Sequence, residues 1–155
     1  RVFLLENEKP LKTRNPDFQK NVDVIFNRAA FIRDVGFKLE EVSAGRVVTS
    51  LVLQAKHMQQ NNFVHAGVLS TMADHTAGGA AGTLVAADQV VLTVEYKINL
   101  LRPAVGESLL CEAKVLKNGK TLIVADSYVF TIQKGRKKLA ARATVTLAVV
   151  GSQYD

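Results

Sequence analysis

Residues 59–84 read Gln59-Gln60-Asn61-Asn62-Phe63-Val64-His65-Ala66-Gly67-Val68-Leu69-Ser70-Thr71-Met72-Ala73-Asp74-His75-Thr76-Ala77-Gly78-Gly79-Ala80-Ala81-Gly82-Thr83-Leu84. A polar opening leads into apolar or small residues at Val68, Leu69, Met72, Ala73, Ala77 and Ala80, the spacing of one broad helical face. The pattern predicts a helix over about 66–84. Gly78, Gly79 and Gly82 each cost roughly 1 kcal/mol against alanine inside a helix. A helix that carries three of them is expected to lie close against a neighbouring backbone, buried on a sheet.

Working outward, the pattern switches to a period of two. Beyond Asp88, Leu92, Val94, Tyr96, Ile98 and Leu100 alternate with Thr93, Glu95, Lys97 and Asn99, as in a strand with two distinct faces. Pro103 and Gly106 end that strand. Another is expected over about 108–116, with Asn118-Gly119 as a two-residue hairpin signal and a return over 121–131. Lys134-Gly135 turns the chain again into 139–150. On the other side, 15–35 reads as a helix opened by Asn15-Pro16, with Val22, Ile25, Phe26, Ala29 and Ile32 at helical spacing. Two strands follow, 37–42 and 46–55, joined by a turn at Ser43-Ala44-Gly45. The layout is α+β: a strongly curved antiparallel sheet around one long central helix. No internal repeat, linker or low-complexity stretch interrupts it, so 1–155 is expected to be one domain, with 1–35 as its N-terminal helical segment.

The chain has 155 residues, 48% of them hydrophobic and 22% charged, with three prolines. That is enough for a real core and argues against disorder. No apolar run approaches the ~18 residues that cross a bilayer, and Arg1-Val2-Phe3-Leu4-Leu5-Glu6 is charged too soon for a secretion signal. A lone cysteine, Cys111, has no internal disulfide partner, so a reducing cytoplasm is the expected compartment, with no membrane association. The net charge of +6 favours anionic partners. The basic residues are scattered apart from Lys134, Arg136, Lys137 and Lys138, which equally suit a hairpin tip kept soluble by charge.

The chemistry gathers where the long helix begins. A helix start collects unpaired N–H groups and positive dipole, which can grip a substrate carbonyl while a carboxylate further along the helix handles water. Gln59 supplies an amide, His65 an imidazole, Ala66 a backbone N–H and Asp74 the carboxylate: the outline of a thioester hydrolase. Asp74 has two ways to act, by attacking the carbonyl to give an anhydride or by taking a proton from water, and the pattern does not choose between them. His65 is as well suited to holding the loop as to proton transfer. His57 and His75 lack partners in the sequence and read as surface or packing residues. No His/Cys/Asp/Glu group has metal-ligand spacing, so no metal is expected, and Ala77-Gly78-Gly79 lies within a helix rather than at a nucleotide-binding turn.

The run from Val64 to Ala81, with Thr93-Val94-Glu95 and Asn99-Leu100-Leu101-Arg102-Pro103-Ala104 after it, resembles the PaaI-type acyl-CoA thioesterases of the hotdog-fold superfamily over roughly residues 32–150. The resemblance implies a sheet wrapped around the long helix, subunits paired edge to edge, and active sites at the dimer interface. It implies that Asp74 is nucleophile or general base, that Gln59 positions substrate or water, and that the Ala66 N–H polarises the thioester carbonyl. His65 would shape the loop, and Thr93 would reach into the partner's site. Asn61, Asn62, Gly67 and Val68 would line the substrate, with Val68 and Leu69 toward the acyl group. Coenzyme A would enter only as part of the substrate, with no separate cofactor, and its phosphates give Arg102, Arg136, Lys137 and Lys138 a role. The sequence departs from the family's pattern in two places. His65-Ala66-Gly67 stands where His-Gly-Gly is usual, and Asn62 stands where glycine is common. The first works only if Ala66 needs no positive φ, and the second relies on asparagine's tolerance of left-handed geometry.

An acyl-CoA thioesterase acting as a homodimer that assembles into a homotetramer is therefore the expected function. A noncatalytic acyl-CoA sensor or carrier on the same fold is the alternative, distinguished by binding without turnover. Nucleic-acid binding ranks last, because interleaved surface aromatics and a recognition helix are missing.

Overall fold

The computed structural model describes residues 11–152. In chain order these form α1 (Phe18–Arg28), α2 (Ala30–Val35), β1 (Lys38–Ser43), β2 (Arg46–Val52), α3 (Ala66–Gly82), β3 (Gln89–Leu100), β4 (Ser108–Asn118), β5 (Leu122–Gln133) and β6 (Arg136–Gly151), with a 3₁₀ turn at Ala55–His57. The six strands make one sheet in the order β1-β2-β4-β5-β6-β3, antiparallel at every pairing. The strand that follows α3 in sequence thus crosses to the far edge of the sheet.

Helix α3 packs on one face of this sheet, and its small residues make the approach possible. Met72, Ala73, Ala77, Ala80 and Ala81 are fully buried, together with Leu51, Leu109, Val129 and Leu147 from the strands. A Cβ on Gly79 would sit 2.9 Å from the Phe26 ring, so α1 rests directly on the helix there. Polar groups inside this layer are paired, as burial demands. Ser127 Oγ donates to the Ala73 carbonyl at 2.7 Å, and the Thr49 and Thr76 hydroxyls share a hydrogen bond at 2.8 Å. These bonds fix how far α3 can slide along the sheet.

Three local expectations are revised. The single helix over 15–35 is broken at Ala29, whose ψ of 97° is extended. The break lets Val22 and Phe26 on one side and Ile32 on the other reach the same core, and no glycine or proline announces it. The helix also begins later, at Phe18. Asn15 is buried in a local turn, its side-chain oxygen accepting from the Asp17 N–H at 2.9 Å. Asn118-Gly119 is not a two-residue turn: the connection takes residues 119–121, with neither Asn118 nor Gly119 at positive φ. A bulge between Val115 and Lys117 shifts the β4–β5 register by one residue, and the longer loop absorbs it. The left-handed pair sits in the next hairpin, at Lys134 (φ 48°) and Gly135 (φ 72°), where both positions of a tight turn require it.

Candidate active site

The helix start is built by a short hydrogen-bonded loop. Gln59 N–H donates to the Phe63 carbonyl, Asn62 N–H to the Gln59 carbonyl, and Val64 N–H to the Ala104 carbonyl in the β3–β4 loop. Asn62 takes φ 63°, so the left-handed turn that favours glycine is made by asparagine. His65 caps α3. Its Nδ1 accepts the Gly67 N–H at 2.9 Å, which leaves the ring proton on Nε2. Ala66 is the first helical residue and is not among the residues with positive φ, so its missing glycine costs nothing. Its own N–H has no acceptor among the described residues. That N–H opens into a cleft of about 550 Å³, whose lining includes Gln59, His65, Leu69, Leu101 and Arg102. Gln59 Oε1 already accepts the Asn61 N–H at 2.6 Å, so its side-chain NH₂ is the half left to meet a ligand.

Asp74 lies elsewhere. It faces a separate cleft of about 380 Å³ bounded by α1, α3 and β3, where Thr93 Oγ1 donates to its Oδ1 at 2.8 Å. Burial raises the Asp74 pKa above the ordinary carboxylate value, and the Thr93 hydrogen bond opposes the rise by favouring the charged form. Thr93 stands at a bulge in the β3–β6 ladder and reaches the carboxylate of its own chain. His75, beside it, lines the same cleft. Burial pushes its imidazole down to about 4, the Ile25 backbone partly opposing, and the ring meets Phe26 edge-on at 4.5 Å. Its Nε2 is buried with no hydrogen-bond partner. His75, read with His57 as a surface or packing residue, thus packs, and its place next to Asp74 puts it in the same cleft. His57 does pack: it accepts the Gln54 N–H at Nδ1, while Nε2 meets the Val35 carbonyl.

The two clefts share no residue. Ala66 and Asp74 are eight residues apart, roughly 12 Å along the helix axis, so one chain does not bring the amide and the carboxylate to a common point. The remaining candidates divide in the same manner. Gly67 and Val68 line a cleft with Phe31, Lys56 and His57, on a different side of the helix from Gln59 and Arg102. Leu69 is on the Ala66 side. Asn61 and Asn62 shape the turn. Arg136 and Lys138 join Lys134 along a cleft of about 410 Å³, while Lys137 pairs with Glu112 and sits 4.0 Å from the Phe130 ring centroid. Among the described residues no group of three potential ligands is placed to hold a metal ion, and no helix is long and apolar enough to cross a membrane.

Residues 61–137, which carry the helix start, Asp74, Thr93 and the basic hairpin turn, match the family model described as the thioesterase superfamily. A protein of Saccharolobus solfataricus, provisionally named an esterase, is 31% identical over 137 residues, covering 87% of this chain and 90% of that one. The chain belongs to the thioesterase superfamily. A solved thioesterase family protein from Silicibacter pomeroyi is 34% identical, covers 86% of this chain and 98% of its own, and superposes with a TM-score of 0.85. A Streptococcus mutans protein solved with acetyl CoA bound is 25% identical, with 75% of this chain and 90% of that chain covered and a TM-score of 0.66. The six-stranded sheet around α3 is the hotdog fold, as the PaaI-type likeness implied, and the protein is a thioester hydrolase of that superfamily.

Proposed function

We propose that the protein hydrolyses acyl-CoA thioesters at sites made by two copies of the chain, each supplying half. One observation carries this reading. The Ala66 N–H and the Asp74 carboxylate sit in separate clefts toward opposite ends of β3, an edge strand whose Leu92, Val94 and Tyr96 side chains are exposed among the described residues. A twofold axis near Tyr96 and Lys97, pairing two β3 strands antiparallel, sets Thr93 of one copy opposite Leu100 of the other. Asp74 of one subunit then faces the Ala66 N–H of its mate.

In such a site the thioester carbonyl oxygen accepts the Ala66 N–H at the positive end of the α3 dipole. Gln59 positions substrate or water through its free NH₂. His65 holds the loop by its bond to Gly67. Asp74, steadied by Thr93, takes a proton from water as the water oxygen bonds to the carbonyl carbon. Collapse of the oxyanion breaks the carbon–sulfur bond, and coenzyme A leaves as the thiol, its sulfur taking the proton that Asp74 held. Direct attack by Asp74 would instead give an anhydride that water cleaves, with the same products. Arg102 flanks the amide side, and Lys134, Arg136 and Lys138, whose side-chain cations form no ion pair among the described residues although the Lys134 N–H donates to Glu107, suit the coenzyme's phosphates. The Lys137 ion pair removes it from that group. The acetyl CoA bound to the Streptococcus mutans relative supports the coenzyme A reading.

Hydrolysis of a panel of acyl-CoA esters by the purified protein tests the reading, with Asp74→Asn as the control. Turnover that Asp74→Asn removes supports it. Binding of acyl-CoA with no turnover would favour the sensor or carrier.

A further inference from the structure

Beyond its first turn α3 carries three glycines, Gly78, Gly79 and Gly82, and the structure gives a packing reason for only two of them. A Cβ on Gly79 would lie 2.9 Å from Phe26 and one on Gly82 2.8 Å from Ile25, so α1 sits too close for any side chain there. Gly78 differs. A Cβ there would meet nothing nearer than Leu147 Cδ2 at 4.0 Å, and its φ is not positive. An alanine would fit and would favour the helix. What Gly78 borders is the cleft that holds Asp74 and Thr93.

Asp74, Gly78 and Gly82 fall at i, i+4 and i+8, on one face of the helix. They form the floor of a groove roughly 12 Å long, walled by Val24 and Ile25 of α1 and by the start of β3. At the far end Ile25 closes over Gly82. We infer that this groove holds the acyl group of the substrate, that Gly78 keeps it open, and that the acyl chain it fits is of medium length and apolar. With carbon–carbon bonds of about 1.5 Å in zigzag, a ~12 Å groove takes on the order of eight to ten carbons. The cleft volume of about 380 Å³ accommodates a chain of that size. The inference rests on the acyl-CoA reading above and adds the substrate class and the residue that sets it.

The test uses the intact protein, Gly78→Ala and Gly78→Val, with acetyl-, butyryl-, octanoyl-, dodecanoyl- and palmitoyl-CoA as substrates. Wild-type kcat/KM should peak near octanoyl. Gly78→Val should lower the octanoyl-to-acetyl ratio of kcat/KM at least tenfold, and Gly78→Ala should lower it less while raising the melting temperature. An unchanged ratio in Gly78→Val, or a wild-type preference for acetyl, overturns the inference. Calorimetric binding of decyl-CoA thioether, which cannot be hydrolysed, separates the two readings. Binding that weakens at least tenfold in Gly78→Val supports the groove even if no ester is turned over, in which case the hydrolase reading fails alone. Equal binding by both proteins overturns the groove while leaving hydrolysis intact.

Discussion

The sheet has two edges, and they are made differently. β1 presents Lys38, Glu40 and Glu41 outward, with Glu40 held by the Ser50 hydroxyl and Glu41 by Arg46 at 2.6 Å. Charge and pairing of this kind keep an edge from recruiting another strand. β3 is twice as long and leaves Leu92 48%, Val94 57% and Tyr96 44% exposed, with no strand partner other than β6 among the described residues. A long apolar edge invites a second strand, and the clefts of Asp74 and Ala66 lie toward its two ends. If a second β3 pairs there, as proposed, the contrast teaches that the chemistry and the assembly are one feature: the edge left open is the edge that completes the site.

The contrast breaks most completely if β3 is charged. Val94→Lys with Tyr96→Glu should give a monomer by light scattering and remove nearly all hydrolysis, whereas Lys38→Ser with Glu40→Ser on β1 should change neither mass nor rate. Ala66→Pro sharpens it next. Proline is favoured at the first helical position and preceded here by an extended His65, so the helix should form while the N–H disappears. A fall in kcat of about 10²–10³ with an unchanged circular dichroism spectrum is expected, the usual cost of one lost oxyanion donor.

The pH behaviour of Asp74 gives a smaller signal. Its raised pKa means that the active carboxylate is lost as pH falls through a value above the ordinary range. Thr93→Ala removes the bond that favours the charged form, so the acid limb of kcat/KM should move to higher pH. The same shift bears on stability with the opposite sign. A carboxylate whose folded pKa exceeds its unfolded one is destabilising once pH rises above the unfolded value, and Asp74→Asn should therefore raise the melting temperature near pH 7 and have little effect near pH 3. A Thr93→Ala limb at unchanged or lower pH would contradict the hydrogen bond's role.

Much of this was legible in the sequence, for physical reasons. The helix over 66–84 and the strand beyond Asp88 carry long, unbroken periods, and the polar stretch before His65 marks the helix start. The break at Ala29 was hidden because no glycine, proline or cap signals it; only the packing of Phe26 and Ile32 requires it. Asn118-Gly119 misled because a bulge between Val115 and Lys117 changed the register that the turn had to close. Of the candidate site, His65, Ala66, Gln59 and Asp74 were chosen by type and order, and the structure divides them between two clefts. That Val68 faces away from the Ala66 cleft, that Lys137 is spent on Glu112, and that Gly78 alone lacks a packing reason all depend on which elements lie against them, which spacing along one helix does not encode.

The most direct test of a site shared between subunits is complementation. Asp74→Asn and Ala66→Pro proteins, each inactive alone, are mixed after reversible unfolding or co-expressed, so that they form heterodimers. In a heterodimer one site pairs the intact Asp74 of one chain with the intact Ala66 N–H of the other. Random pairing should then restore about a quarter of wild-type activity, since about half the dimers are mixed and each holds one complete site. Mixed protein that stays as inactive as either parent, with heterodimers verified by mass, would mean that each chain carries its own whole site, contrary to what the separated clefts imply.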